Sequence, residues 1–406
     1  MELEVRTIDA SEIGDWVDCM GVGFLRPRAE GFAEFYLEQV ELGRTWGAFD
    51  SGNVVGTLRS FATTLTVPGP EQVEVAALTN VTVAPTHRRR GILTDMIRAD
   101  LAASVERSES LSILIASEYP IYGRFGYGPA VDTAVYTVDA TSAHLRRGGT
   151  GSVELVALAT LRKEAPALYD EVRVRQPGWI GRADHHWDTM LHQVEVPGAE
   201  PSKAYAALYR SESGQLEGYL LYEAEAKWQD WRPCSTLKVD ELVAVTPEAY
   251  RRLWQYCTEV DLVTTVNAAD RPVVEPLEWM LTERRAMRQS GRYDFLWVRP
   301  LDVCAALSAR RYLVESGVVM EVTDDLRFAD GRYLLEGSPR GAACSRTSQP
   351  AELVVGVDVL GALYLGGVSL RSLADAGRVE VVVPGALERA DLMFRSAVAP
   401  WCSTWF

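Results

Sequence analysis

The pattern of apolar positions changes near residue 85 and predicts a strand followed by a helix. From residue 78 to residue 83, β-branched side chains recur in alternation, which favours an extended chain. Pro85 ends this strand, because proline has no amide hydrogen to give to a sheet. Beyond the proline, apolar residues recur at the spacing of one helix face, at Ile92, Leu93, Met96, Ile97 and Leu101.

Three arginines and a glycine, Arg88, Arg89, Arg90 and Gly91, connect the strand to the helix. We expect them in the first turn of the helix, where amide hydrogens lack partners and the helix dipole is positive. Together these features make a site for an anion. A basic helix start on the surface is the alternative, but a pure stability argument would place Asp or Glu there. The cluster therefore indicates a negatively charged ligand.

The remaining patterns of the first segment predict a mixed α/β order. Two strands are predicted within residues 45–67, joined by a turn at residues 50–53. The apolar run at residues 111–115 is typical of a buried strand. The sequence "RRGGTGS" at residues 146–152 is typical of a linker, so we expect the first segment to end near residue 148.

A second segment repeats this order in outline. It contains a hairpin that turns at residues 212–214, a strand at 237–245, a helix and a further strand at 260–266. Thr246 is the expected cap of the helix and Pro247 its first residue. The glycine and the basic cluster are missing, so a duplicated fold would have lost its anion site in this copy.

A third segment begins near residue 291, with strands and helices unlike those of the first two. We therefore divide the chain into segments 1–150, 151–290 and 291–406.

The charge and length of the chain restrict its partners. Its 406 residues carry a net charge of -15 at pH 7. This charge argues against nucleic acid as a partner, because its phosphates need an extended basic face, and it favours cationic small molecules or basic protein tails. No apolar run approaches the roughly 18 residues that span a bilayer, and the acidic N-terminus does not resemble a signal peptide. We expect no membrane partner and a cytoplasmic location.

Cysteine and histidine do not form a metal-binding pattern. The six cysteines are far apart, which fits reduced and mostly buried thiols. His185, His186 and His192 lie close together near two aspartates, but no two of them stand one helical turn apart as in a zinc helix. We therefore expect no metal.

The last residues form an apolar tail that includes Trp401, Trp405 and Phe406. Such a tail is costly to leave in water, so we expect it to be packed. Packing would also fix the position of the terminal carboxylate.

Two stretches, "VTVAPTHRRRGILTDMI" and "SEYPIYGRFGYGPA", closely resemble the Eis (enhanced intracellular survival) acetyltransferases of the GNAT superfamily. The resemblance covers the whole chain. It implies an α/β (α+β) fold with two tandem GNAT-like domains, the second degenerate, and a C-terminal sterol-carrier-protein-like domain that ends in phenylalanine. The GNAT phosphate signature matches residues 88–93, with Leu93 in place of the superfamily's small residue.

The resemblance implies acetyl-coenzyme A as co-substrate, with its pyrophosphate on the basic connection. Backbone amides would cradle the phosphates, the arginines would add charge-assisted bonds, and Gly91 would let the phosphate approach the main chain. Residues 81–83 would pair with the pantetheine arm, and an amide there would polarise the thioester carbonyl. The implied cofactor-binding residues are Val81, Thr82, Val83, Arg88, Arg89, Arg90, Gly91, Ile92, Leu93, Thr94, Ser117 and Glu118.

Two catalytic residues also follow from the resemblance. Tyr122 matches the family's general acid, which would hydrogen-bond or protonate the departing sulfur. Tyr119 and Tyr127 stand nearby, and most tyrosines only pack, so the choice of Tyr122 rests on the motif. The carboxylate of the last residue, Phe406, matches the family's base, acting as a proton acceptor through water or as the charge that holds an amine.

The resemblance defines the acceptor, the amine that would receive the acetyl group, less narrowly than the co-substrate. Eis enzymes acetylate aminoglycosides at several positions and some acetylate lysine side chains, so the resemblance implies a polyamine or aminoglycoside substrate in a wide acidic pocket. Protein lysine N-acetylation is the second interpretation within the enzyme class. A lipid- or sterol-binding carrier is the alternative from another class. The resemblance also implies a homohexamer.

Overall fold

The computed structural model describes residues 3–146 and 150–406. The predicted linker at residues 146–152 falls in part on residues 147–149, which lie outside the described residues. The strands are β1 (Leu3–Thr7), β2 (Thr45–Asp50), β3 (Asn53–Val67), β4 (Glu71–Val83), β5 (Leu111–Ile115), β6 (Gly128–Asp139), β7 (Ser152–Val156), β8 (Ala204–Arg210), β9 (Leu216–Glu225), β10 (Trp228–Gln229), β11 (Arg232–Pro233), β12 (Ser235–Ala244), β13 (Val263–Pro272), β14 (Met287–Pro300), β15 (Ser316–Thr323), β16 (Gly331–Ser338), β17 (Gly341–Arg346), β18 (Leu353–Gly356) and β19 (Val379–Val381).

The helices pack on both sides of these strands. The α-helices are α1 (Ile13–Gly23), α2 (Phe32–Leu37), α3 (Ile92–Glu106), α4 (Tyr119–Tyr122), α5 (Leu158–Arg173), α6 (Asp184–Met190), α7 (Pro247–Glu259), α8 (Leu277–Met280), α9 (Val303–Ala309), α10 (Val357–Leu363), α11 (Leu370–Asp375) and α12 (Ala386–Phe394). Short 3-10 helices cover Ala10–Glu12, Leu42–Arg44, Pro85–His87, Gly123–Phe125 and Arg284–Ala286. Among the described residues, no helix combines the length and the apolar character needed to cross a membrane.

One large sheet holds twelve strands in the order β1-β2-β3-β4-β5-β14-β6-β13-β12-β9-β8-β7. Its parallel pairs are β4–β5 and β12–β13, and each pair is connected by a long helix, α3 in the first case and α7 in the second. Each pair also follows a hairpin, β2–β3 in the first half and β8–β9 in the second. The predicted repetition of one mixed α/β unit is therefore confirmed.

Two long strands join the halves of the sheet. β14 pairs with β5 along one edge and with β6 along the other, while β6 pairs with β13. The first half is thus completed by a strand that comes much later in the chain. The predicted divisions at residues 150 and 290 stay predictions.

The C-terminal region has its own five-stranded sheet, in the order β17-β16-β15-β18-β19. Its core is continuous with that of the large sheet, because Val318 and Leu353 belong to the same buried cluster as Leu65 and Ile113. The region therefore packs directly on the first half of the sheet.

Local sequence explains why the predicted elements form. The side chain of Thr246 accepts a hydrogen bond from the Ala249 amide at 3.1 Å and caps α7, with Pro247 as the first helical residue, as predicted. The β2–β3 turn uses Ser51 and Gly52 at φ +54° and +84°, the left-handed conformation that tight hairpins require.

Two sequence-based expectations need correction. The arginines and Gly91 lie before α3 and not in its first turn, because Arg89 and Gly91 have φ values of +65° and +85°, which a right-handed helix excludes. The strand expected at residues 260–266 begins at Val263, because Leu262 has a φ of +72°.

Candidate active site

The basic connection ends in a glycine that caps α3. Gly91 is the N-cap residue, and helical bonding begins with the Asp95 amide, which donates to the Gly91 carbonyl at 3.1 Å. The amides of the first turn therefore have no acceptor within the helix. A Cβ atom at Gly91 would meet only the Asp95 Oδ2, at 4.0 Å, so the space beside this glycine is open.

The three arginines of the connection are exposed and bring positive charge to the segment that ends at Gly91. Arg90 is anchored by its Nη2, which donates to the Thr86 carbonyl at 3.2 Å, and the Arg88 Nε reaches the Val83 carbonyl at 3.4 Å. Free amides, a positive helix end and arginine side chains together fit a diphosphate.

A bulge in β4 opens the sheet beside this connection. β4 and β5 pair only as far as Leu78 and Leu114, although β4 continues to Val83. Between Arg59 and Thr57 of β3 the register with β4 shifts, and Asn80 adopts a φ of +53° at this point. The Thr57 hydroxyl donates to the Asn80 carbonyl at 2.8 Å and holds the bulge. β5 itself ends at Ile115, so among the described residues no strand pairs with this edge of β4 beyond residue 78, and this gap is the opening of the sheet.

The main chain of residues 81–83 lines the opening on the edge of β4 that does not pair with β5. The Ala84 amide donates to the Val55 carbonyl of β3 at 2.9 Å, and successive amides of a strand point to opposite edges. The Val83 amide thus points away from β3, toward the edge that β5 has left. Thr82 is buried, and its side chain is directed at Gly23 of α1, so only its main chain can face a ligand.

Tyr122 ends α4 in the core beneath this opening. It is 5% exposed and packs in the same cluster as Ile92 and Met96 of α3. Burial, with a smaller contribution from the charge of Glu118, raises the pKa of Tyr122 to about 12, so the hydroxyl keeps its proton at neutral pH. Ser117 and Glu118 lie exposed between β5 and α4.

The two neighbouring tyrosines have different surroundings. Tyr127 is fully buried, and its hydroxyl shares a 2.7 Å hydrogen bond with Ser112 of β5. Tyr119 is 61% exposed. Of the three tyrosines, Tyr122 combines burial with a hydroxyl whose side-chain hydrogen bond is to Ser117, which lies between β5 and α4.

The C-terminal tail is packed between the halves of the large sheet. Trp401 and Trp405 both donate from their indole nitrogens to Asp270, to its carbonyl at 2.8 Å and to its carboxylate at 2.7 Å. Thr404 is 2% exposed and accepts from the Arg182 Nε at 2.9 Å. The tail is packed as expected: the Trp405 ring meets the Phe295 ring edge-on at 4.8 Å, although 54% of Trp405 stays exposed where it lines a cavity.

The tail and the basic connection lie on opposite faces of the sheet. Ser60 of β3 faces α3, where it donates to Asp100 at 2.6 Å. Phe61, the next residue, faces the other side, where its ring meets the Phe406 ring edge-on at 5.6 Å. Phe61 is paired with Ala77 of β4, one residue before β4 and β5 separate. At the end of the β4–β5 pairing, α3 and Tyr122 therefore lie on one face of the sheet and Phe406 lies on the other.

A cavity of about 410 Å³ adjoins the tail on its own face of the sheet. Asp240 is one of its lining residues, and desolvation and the charge of Glu223 raise the pKa of this carboxyl to about 6. Burial lowers the pKa of His186 to about 4, so this imidazole is neutral at pH 7. The lining residues are Arg182, His186, Thr189, Met190, Leu221, Asp240, Glu241, Ser403 and Trp405.

Several residues around the opening were not singled out from the sequence: Arg28, Tyr36, Arg59, Phe61 and Asn80. Asn80 offered a weak signal, because asparagine in a strand is uncommon and tolerates the left-handed conformation. The others come together only through pairing across the sheet. Among the described residues, no group of three or more His, Cys, Asp or Glu is arranged to hold a metal ion.

Comparison with known families defines the class of protein. Residues 4–130 and 178–300 each match a family described as an acetyltransferase (GNAT) domain, and residues 303–403 match the sterol carrier protein domain. The chain is therefore a GNAT N-acetyltransferase with two such domains and a sterol-carrier-like domain.

Individual relatives narrow this class. The chain is 41% identical to an uncharacterized N-acetyltransferase of Streptomyces griseus, covering 99% of both chains, and 36% identical to the N-acetyltransferase Eis of Mycobacterium tuberculosis, covering 87% of this chain and 86% of that protein. The crystal structure of Eis1 from Mycobacterium abscessus is similar with a TM-score of 0.87 at 33% identity, covering 99% of this chain and all of that one. The chain belongs to the Eis family of N-acetyltransferases.

Proposed function

We propose that the protein transfers the acetyl group of acetyl-coenzyme A to an amine. The separation of β4 from β5 after Leu78 carries this proposal, because it joins an anion-binding connection on one face to a packed tail on the other. Donor and acceptor can then approach from opposite faces and meet in the opening.

The donor site uses the connection before α3. The amides of Gly91 and the first turn of α3, with Arg88 to Arg90, would bind the pyrophosphate, and the open space at Gly91 allows close approach. The main chain at residues 81–83 would align the pantetheine arm along the free edge of β4. Bound acetyl-coenzyme A supplies the acetyl group as a thioester and leaves as a thiol.

Tyr122 is proposed as the acid. Its hydroxyl is protonated at neutral pH, because burial raises its pKa to about 12. A protonated hydroxyl can donate to the sulfur as negative charge develops there. The Val83 amide, which points into the opening, can donate to the acetyl carbonyl.

Phe406, when it ends the chain, is proposed to place its carboxylate beside the acceptor amine. Its ring packs on Phe61, and the preceding residues are held through Asp270 and Arg182, so the carboxylate has a fixed position. A carboxylate is a weak base for an ammonium group, with a pKa near 3.5 against about 10.4. It would therefore act through water or by holding the amine.

Aminoglycosides and other polyamines are the first acceptors to test. Asp240 and the net charge of -15 favour a cationic molecule on the face of the tail. A lysine side chain is the second candidate, since it presents the same primary amine on a narrow stem.

We also propose a homohexamer and a cytoplasmic location. Trp231, at the tip of the β10–β11 hairpin, is 97% exposed, and such a side chain is commonly covered in an assembly. Cys19, Cys234, Cys257, Cys304, Cys344 and Cys402 are all free thiols, which fits a reducing compartment.

The test is thiol release from acetyl-coenzyme A with a panel of amines, together with thermal unfolding. We expect thiol release only when an amine is present, and a higher unfolding temperature with acetyl-coenzyme A but not with a fatty acid or a sterol. Stabilisation by the lipids alone, without amine-dependent thiol release, would support the carrier alternative and overturn the proposal.

A further inference from the structure

Two arginines at the opening have no carboxylate partner. Among the described residues, Arg28 and Arg59 form neither an ion pair nor a hydrogen bond through their side chains, and the Nε of each is buried without a partner. Their side chains are only partly buried, so the outer edge of each guanidinium can still reach a ligand.

The fully buried arginines of the described residues have partners: Arg310 donates to the backbone carbonyls of Tyr364 and Phe394, and three others pair with carboxylates. Arg182 pairs with Glu241 at 2.6 Å, Arg271 with Glu275 at 3.1 Å and Arg299 with Asp324 at 2.8 Å. Desolvating an arginine without a partner is unfavourable, and an acidic chain offers many carboxylates. Two unpaired guanidiniums in one place therefore suggest that a negative group comes from outside the chain.

Aromatic rings bring the two arginines to the same place. Arg28 lies over the Phe32 ring at 4.8 Å, and Arg59 lies over the Tyr36 ring at 5.4 Å. The Phe32 and Tyr36 rings stack on each other with their centroids 5.7 Å apart. Both positive charges act on the Tyr36 hydroxyl, where they oppose the rise of its pKa that burial causes.

This place is the acceptor side of the opening. Arg59 also lies over Phe61, at 5.4 Å, and Phe61 contacts Phe406. Across the sheet, Arg59 is paired with Thr79 of β4, next to the bulge at Asn80. The Tyr36 hydroxyl donates to the Asn80 side chain, which ties the aromatic stack to the same bulge. The arginines therefore stand beside the point where the strands separate, on the face of the tail.

We propose that Arg28 and Arg59 bind an oxyanion of the acceptor, a carboxylate or a phosphate, while its amine lies near the tail. This rests on the proposed acetyl transfer and specifies its acceptor. A guanidinium presents a planar fork of donors that matches either oxyanion. Among the amines that the proposed function allows, the preferred acceptor is then one that also carries a negative group, because an amine with only positive charge leaves the two arginines without a partner.

Matched acceptors test this directly. Lysine differs from cadaverine by one carboxylate, and glucosamine 6-phosphate differs from glucosamine by one phosphate. We expect kcat/KM to be at least about tenfold higher for the anionic member of one pair, mainly through KM, the scale of one charge-assisted interaction. The pair with the larger difference identifies the oxyanion.

Arginine variants locate the effect. In Arg59→Gln and Arg28→Gln, the preference for the anionic acceptor should fall to near one, Arg59→Lys should retain part of it, and the KM for acetyl-coenzyme A should not change. Arg26→Gln, an exposed arginine in the same loop as Arg28, is the matched control and should keep the preference. Calorimetric titration of the preferred acceptor into protein saturated with coenzyme A should show the same loss of binding.

The two proposals fail differently. Absence of thiol release with every amine would reject the acetyl transfer itself. Transfer at equal efficiency to both members of each pair, or a preference unchanged in both arginine variants, would overturn the oxyanion site and leave acetyl transfer standing.

Discussion

At the scale of single residues, Gly91 meets two requirements at once. Its φ of +85° lies in the left-handed region, which is costly for residues with a side chain. Its missing side chain leaves open space in front of the amides of α3. Any substitution there affects both the backbone and the approach of an anion, and the two effects can be separated by a control.

We expect Gly91→Asp to weaken acetyl-coenzyme A binding by well over tenfold, or more than about 1.4 kcal/mol, because it puts bulk and negative charge where the pyrophosphate binds. Gly52→Asp is the matched control, since Gly52 has a φ of +84° with nothing within 4 Å but lies in the β2–β3 turn. Calorimetric titration measures the affinity of each variant for acetyl-coenzyme A. Equal affinity of the two variants would place the phosphate site elsewhere.

Tyr122→Phe should bind acetyl-coenzyme A normally and lose turnover by roughly a hundredfold, as expected for a lost proton donor. Tyr127→Phe should instead lower the unfolding temperature and spare turnover, because it removes the hydrogen bond to Ser112. Steady-state kinetics and thermal unfolding of both variants show which of the two tyrosines acts as the acid. A slow Tyr127→Phe beside a fast Tyr122→Phe would reverse the assignment.

The pH dependence of Tyr122 follows from the sign of its shift. Burial raises the pKa to about 12, above the ordinary value near 10, so the folded protein favours the neutral hydroxyl. The acid therefore stays in its active form up to at least about pH 10. We expect kcat to show no alkaline decline below that pH from this group, which a pH–rate profile with saturating substrates can check.

At the scale of elements, the bulge at Asn80 sets the width of the opening. Its φ of +53° is tolerated by asparagine and glycine but is unfavourable for a β-branched residue, by about 1–2 kcal/mol. Asn80→Val should therefore lower the unfolding temperature and raise the KM for acetyl-coenzyme A, whereas Asn80→Gly should keep most of the activity. If the valine variant retained both stability and KM, the bulge would not control the opening.

The sequence predicted those helices, hairpins and strand ends that depend on residues close together in the chain. The α3 and α7 helices, the β2–β3 and β8–β9 hairpins and the end of β4 before Pro85 follow from periodicity, caps and turn residues. The sequence predicted residues 88–91 within the first turn of α3, whereas they lie before the helix. Nothing in the sequence indicates that Arg89 adopts a positive φ.

Long-range pairing could not be predicted in the same way. The insertion of β14 between β5 and β6 depends on contacts between segments that are far apart in the chain. The alternation of apolar and polar residues in β14 is compatible with pairing to many other strands, so it does not identify these two. The grouping of Arg28, Arg59 and Phe61 has the same origin. The motif residues of the donor site were found because they are contiguous, whereas the acceptor side is assembled from separate segments.

At the scale of the whole molecule, we expect assembly into a homohexamer. Light scattering should then report about six times the chain mass of 44.9 kDa. Trp231→Ser should weaken the assembly if the exposed hairpin contributes to the interface, with Trp279→Ser, at another exposed tryptophan, as the control. A monomer at working concentration would contradict the expectation.

The central claim is that donor and acceptor sites lie on opposite faces of one sheet and meet at Tyr122 and the Phe406 carboxylate. A short extension after Phe406 would convert this carboxylate to a neutral amide and add bulk on the acceptor face only. Deleting Phe406 would move the carboxylate by about one residue step, roughly 3.5 Å, and Phe406→Tyr should be the mildest change.

The most direct measurement compares the native and the extended chain in two assays on the same preparations. We expect acetyl-coenzyme A binding, measured by calorimetry, to be unchanged and amine-dependent thiol release to collapse in the extended chain. An extended protein that binds acetyl-coenzyme A and releases thiol at the native rate would contradict the account, because the carboxylate of Phe406 would then have no part in the reaction.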